Sequence, residues 1–113
     1  MKKTYAFLLF LLFAAASCKQ KTQSEILRDN AITSVQAYLH KNLNDPDSYQ
    51  ALSFGKLKVE QDAVIGGFNY KGVGYTIHHT YRAKNGFDAL IKYDQKFILG
   101  EKLEVAEVRD LPE

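Results

Sequence analysis

Residues 73–84 read VGYTIHHTYRAK. Val73, Tyr75, Ile77, His79, Tyr81 and Ala83 fall on one side of an extended chain, and Gly74, Thr76, His78, Thr80, Arg82 and Lys84 on the other. Successive side chains of a strand point to opposite faces, so this alternation predicts a long strand with one apolar face. Asn85-Gly86 then signals a turn. Beyond it, Ala89, Ile91, Tyr93, Phe97 and Leu99 mark the apolar face of a second strand. A two-residue Asn85-Gly86 loop would set His79 opposite Lys92 and Ile77 opposite Asp94, which mixes the faces. Shifting the register by one pairs Ala83 with Ala89, Tyr81 with Ile91, His79 with Tyr93, Tyr75 with Phe97 and Val73 with Leu99. Opposed residues share a face, so this register is preferred. It requires a loop of odd length, three or five residues, with Gly86 in the left-handed region.

Working outward, Leu27, Ala31, Val35, Leu39 and Leu43 recur every fourth residue, with Ile32 and Tyr38 widening the stripe. Thr22-x-x-Glu25 fits a capping box ahead of them. This predicts an amphipathic helix of about 18–20 residues with one face to bury. Asn44-Asp45-Pro46-Asp47-Ser48 ends it, with Asp45 placed to cap a short turn that starts at Pro46. Residues 54–60 alternate as a half-buried strand, Leu57 and Val59 inward. Residues 61–72 read as a loop, part of which pairs or folds back. Lys102 to Val108 reads as a fourth strand, with a helix as the alternative, and Arg109 onward as a polar tail. The expected fold is α+β: one N-terminal amphipathic helix packed on a three- to four-stranded antiparallel sheet. In outline this resembles cystatin-like architectures, a likeness that implies no function.

Met1-Lys2-Lys3 is a short basic segment, and Tyr5 to Ala16 is an apolar run. A membrane span needs about 20 apolar residues, so the run fits the core of a secretory leader instead. Ala15-Ala16-Ser17-Cys18 closes it and resembles the lipobox of bacterial lipoproteins, although Ala15 stands where Leu is commonest. The resemblance implies cleavage before Cys18, a diacylglycerol thioether on its sulfur and a further acyl chain such as palmitate on its amino group. Two or three chains anchor stably, where one is marginal. The expected organisation is therefore a signal peptide at 1–17, a lipid-anchored tether at 18–23 and one domain at 24–113. The alternative is an ordinary leader that leaves Cys18 a free thiol. By resemblance to the sorting rule of enteric bacteria, Lys19 in place of Asp implies the outer membrane. The absence of acidic residues in Lys19–Gln23 implies a domain facing the periplasm. Leu43–Tyr49 (LNDPDSY), with Tyr81–Asn85, resembles small uncharacterised envelope lipoproteins of Bacteroidota, a likeness that implies no activity.

Lys and Arg number 15 against 13 Asp and Glu. Once Lys2 and Lys3 leave with the leader, the balance is zero. A neutral domain gives no counterion-release case for nucleic acid. A single Cys excludes an internal disulfide and a Cys-based zinc site. His78 and His79 point to opposite faces of one strand and cannot chelate together. Gly67 and Gly72 have the spacing of a phosphate loop, but Val73-Gly74 stands where Lys-Ser/Thr is required. Ser34 falls in the helix, and Ser48 and Ser53 in turns without a nucleophile elbow. No catalytic residue, metal or cofactor is assigned. Phe68, Tyr70 and Phe87 fall in loops, where the core needs them least. With Arg82 and Lys84 they are the candidate contacts for an envelope protein or periplasmic ligand. The expected function is a membrane-anchored binding module, and the alternative an inhibitor or small enzyme at the membrane surface.

Overall fold

The computed structural model describes residues 20–61, 64–65, 68–69 and 72–112, with the backbone alone at 64–65 and 68–69. Helix α1 (Gln23–Asn42) precedes all the strands: β1 (Gln50–Phe54), β2 (Lys58–Gln61), β3 (Val64–Ile65), β4 (Phe68–Asn69), β5 (Val73–Lys84), β6 (Leu90–Leu99) and β7 (Val105–Asp110). Its N-cap is Thr22, whose hydroxyl accepts from the Glu25 amide at 3.3 Å. The helix is N-terminal with respect to the sheet but begins 22 residues into the chain. Ala31, Val35 and Leu39 are buried and Leu27 and Leu43 partly so, the stripe that the four-residue spacing marks.

β5 is the spine of the sheet. It pairs antiparallel with β6 along one edge and with β1 and β2, end to end, along the other; β7 pairs with β6. The sheet thus has five strands rather than three or four. The difference lies on the β1–β2 edge. Residues 54–60 are not one strand: the edge is already extended at Gln50 and breaks at residues 55–57. Ser53 consequently lies in a strand, not a turn. Arg28 clamps the break, donating from Nε to the Gly55 carbonyl (3.2 Å) and from Nη2 to the Phe54 carbonyl (3.0 Å). Val59 is 60% exposed, because α1 does not reach the edge there. β3 and β4 pair with each other, so the segment expected as a loop does fold back.

Parity in the β5–β6 hairpin is as expected, but the register is two residues further on. Tyr81 faces Tyr93, Ile77 faces Phe97 and Tyr75 faces Leu99. A slip of two keeps every side chain on its face, so alternation alone could not detect it. The loop chooses between the two. Asn85 N–H donates to the Ala89 carbonyl (2.9 Å), and Asn85 Oδ1 accepts from the amides of Phe87 (2.9 Å) and Ala89 (3.1 Å). The five residues Asn85–Ala89 connect the strands, and Asp88 (φ 60°), not Gly86, takes the left-handed position.

β7 runs to Asp110, so Arg109 and Asp110 belong to the sheet and not to a tail. A register shift pairs Val105 with Leu99 and Val108 with Phe97, which turns both valines toward the core although they are three apart. The corner between α1 and β1 is a 3-10 turn, Pro46–Ser48. Asp45 supplies its carbonyl rather than its carboxylate, accepting from Ser48 N (3.1 Å) and Oγ (2.6 Å). Ser48 Oγ in turn accepts from Lys84 N at 2.8 Å, which ties the corner to the end of β5.

Candidate functional site

The cover that α1 gives the sheet thins along β6 toward the hairpin. On β6, Leu99 and Phe97 are fully buried beneath it, Gln95 and Tyr93 are half-buried, and Ile91 is 38% exposed. The uncovered strip forms a cleft of about 290 Å³, walled by Tyr38, Tyr81, Lys84, Tyr93, Gln95 and Asp110 among others. Tyr81 and Tyr93 stack with centroids 5.1 Å apart. The Tyr81 hydroxyl donates to Gln95 Oε1 (2.6 Å), and Gln95 Nε2 donates to Asp110 Oδ1 (2.8 Å). This relay fixes which way the amide points. Burial, with the phenol of Tyr93 and the carboxylate of Asp110 nearby, pushes Tyr81 far above its ordinary range. It is a hydrogen-bond donor, not a proton-transfer group. Ring faces beside a fixed amide and a carboxylate suit recognition of a polar ligand or peptide segment.

The hairpin tip rises beside this cleft. Phe87 is 92% exposed, Leu90 49% and Ile91 38%. Lys84 lines the cleft and also reaches Asp88 in the loop, Nζ to Oδ1 3.4 Å, so it joins the two features. Arg82 is exposed on the opposite sheet face, across from Lys92. Three of the candidate contacts, Arg82, Lys84 and Phe87, therefore share one end of the domain. Phe68 lies in β4 with its side chain outside the described residues; Tyr70 and Cys18 also lie outside them.

Sequence reasoning missed Tyr38, Tyr93, Gln95 and Asp110 as a group. The available signal was Gln95, a polar residue in line with Tyr93, Phe97 and Leu99. It marks where the buried face comes out from under the helix.

The histidines have other work. His79 is fully buried and faces Gln95 rather than Tyr93. The hydrogen-bond network assigns its tautomer: Nδ1–H donates to the Ser53 carbonyl (2.8 Å) and Nε2 accepts from the Tyr49 hydroxyl (2.6 Å). Phe54 stacks on the ring with centroids 3.7 Å apart, and Gln36 of α1 hydrogen-bonds Tyr49. Burial holds the imidazole below its usual range, opposed by the Ser53 contact. The cluster welds helix, corner, β1 and β5 together. On the other face His78 pairs with Asp94, and that hydrogen bond, with a lesser one from Thr80, holds the Asp94 carboxyl low. Among the described residues no cluster of His, Cys, Asp or Glu is placed to hold a metal ion, and no helix is long and apolar enough to cross a membrane.

No family model, curated protein or solved structure matches this chain.

Proposed function

We propose that the chain is a lipid-anchored envelope module of the bacterial lipoprotein type, which holds a partner at the end of its domain away from the anchor. The observation that carries the binding part is the union, through Lys84, of the tyrosine-lined cleft with the exposed Phe87 tip. Isolated exposed apolar residues are ordinary. Phe87 at the tip and Ile91 on the cleft side of β6, joined by Lys84 and beside a concavity, are the composition of an interaction site. The anchoring part rests on Ala15-Ala16-Ser17-Cys18 at the close of the apolar run. The two parts fit spatially. The tether would attach at Thr22, and a 20-residue helix then carries the chain about 30 Å toward the cleft.

The test combines two readings. The membrane-fraction protein should have the mass of residues 18–113 plus acyl chains, and Cys18→Ala should abolish that mass. Crosslinking in cells should join the wild-type domain to an envelope component and lose that product in Phe87→Ser and in Tyr93→Ala. An unmodified soluble product would overturn the anchor. An unchanged crosslink in both variants would overturn the contact surface.

A further inference from the structure

The face of the sheet turned away from α1 carries a second concavity, of about 440 Å³. Thr76 and His78 of β5 form its floor. Lys56, from the break between β1 and β2, and Lys58, which opens β2, stand on one side, Lys96 of β6 on the other, and Leu111 closes one end. The sheet register explains the convergence. Lys58 pairs with Thr76, and Lys96 pairs with His78, so β5 holds the two lysine-bearing strands on either side of one row. Gly55 brings the broken edge close, its amide donating to the His78 carbonyl at 2.8 Å.

The charges do not cancel. Lys96 has Glu60 at 4.0 Å, and Thr76 also donates to that carboxylate at 3.4 Å. Asp94 is engaged by His78 and Thr80. Lys56 and Lys58 have no ion-pair partner among the described residues. Three lysines thus border one groove, against the Glu60 carboxylate at long range and the Asp94 carboxylate on the floor residue His78, which leaves positive charge in excess. In an otherwise neutral domain this is a local anion trap. Lysine binds phosphate as a point charge without demanding a planar fork.

Position selects the source of the anion. Gly55 lines the groove, and its carbonyl is held by Arg28, six residues along α1 from the N-cap Thr22 and so about 9 Å up the axis. A tether from Cys18 to Thr22 would be at most about 14–18 Å long. We infer that the Lys56–Lys58–Lys96 groove binds the phosphate of an anionic lipid headgroup in the membrane that carries the anchor. This rests on the anchored reading for its geometry but is tested apart from it. The groove would hold the domain against the bilayer at its helix N-terminal end and leave the Phe87 end facing outward.

The experiment uses residues 18–113 with Cys18→Ala, so that no acyl chain contributes and the fate of Cys18 is irrelevant to the result. Partition is measured onto vesicles of phosphatidylglycerol and phosphatidylcholine mixed about 1:2, and onto phosphatidylcholine alone. Binding should require the anionic lipid. The triple variant Lys56→Gln/Lys58→Gln/Lys96→Gln should bind at least tenfold more weakly, on the order expected for losing several lysines at a charged surface. A charge-matched control, Lys21→Gln/Lys41→Gln/Lys102→Gln, should retain binding within about twofold. All six positions are partly or wholly exposed, and circular dichroism checks that both variants fold. Equal losses in the two variants would overturn the groove, leaving net charge alone. No preference for the anionic lipid would overturn it too. Inorganic phosphate that shifts the lysine resonances while vesicles fail to bind would overturn the lipid as the source.

Discussion

Tyr49 and His79 show what one buried polar pair does in a small core. The imidazole is sandwiched between Phe54 and Tyr81, and each ring nitrogen is committed, one to the Ser53 carbonyl and one to the Tyr49 hydroxyl. Tyr49→Phe would leave Nε2 buried without its donor, at a cost of about 1–3 kcal/mol in chemical denaturation. The pH dependence follows with its sign. Burial depresses the His79 pKa in the folded state, so the unfolded chain binds the extra proton first. The neutral ring's contribution is complete above the unfolded value of about 6.5 and is lost as pH falls below it toward the folded value. Tm should therefore decline between pH 7 and pH 5. His79→Phe, which keeps the stack but cannot titrate, should flatten that decline. A decline of the same slope in the variant would place its source elsewhere.

Among the elements, α1 was legible because one mechanism controls it. A stripe repeating every fourth residue has a single solution, and Ala31, Val35 and Leu39 fill it. Leu39→Ala should cost about 2–5 kcal/mol in denaturant unfolding. A loss below about 1 kcal/mol would mean that the helix face is only lightly packed. β1 was not legible. Its five residues, QALSF, bury only Phe54 to any degree, and the register shift between Ala51 and Ser53 breaks the alternation that identifies a strand. β7 failed at its boundary for the same reason, since its register shift sets Val105 and Val108 on one face. The β5–β6 pairing shows a third case. Alternation fixed the parity, while the Asn85 side chain, which alternation cannot weigh, fixed the register. In the site, Phe87 was legible as an aromatic ring in a turn. The cleft was not, because it arises from how α1 sits against β6 and β7, a tertiary placement that the periodicity of no single element encodes.

For the whole molecule, the two proposals make one orientation. The lysine groove lies at the end where Arg28 and Gly55 meet, and the Phe87 tip lies beyond the far end of α1, where Asn44 approaches Gly86. If the first end rests on the bilayer, the second stands clear of it by roughly the length of the helix, about 30 Å. The chain contains no tryptophan, so a single introduced indole reports without background. Leu111→Trp places it at the rim of the groove, on a half-buried residue whose amide already hydrogen-bonds the Asp94 carbonyl at 2.9 Å. Phe87→Trp places it at the tip, on a side chain that contributes nothing to the core. In vesicles carrying the acylated protein, lipids brominated near the headgroup should quench Leu111→Trp strongly and leave Phe87→Trp unchanged. Quenching falls off within a few ångströms of contact, whereas Leu111, beside Asp94 and level with Thr80, lies about 20 Å along the strands from the tip, so intermediate geometry does not blur the outcome. The reverse result, a quenched tip and a bright groove, would mean that Phe87, Leu90 and Ile91 insert into the interface as an apolar wedge. The exposed aromatic ring would then be a second membrane anchor instead of a docking point, and the cleft beside it would face the lipid.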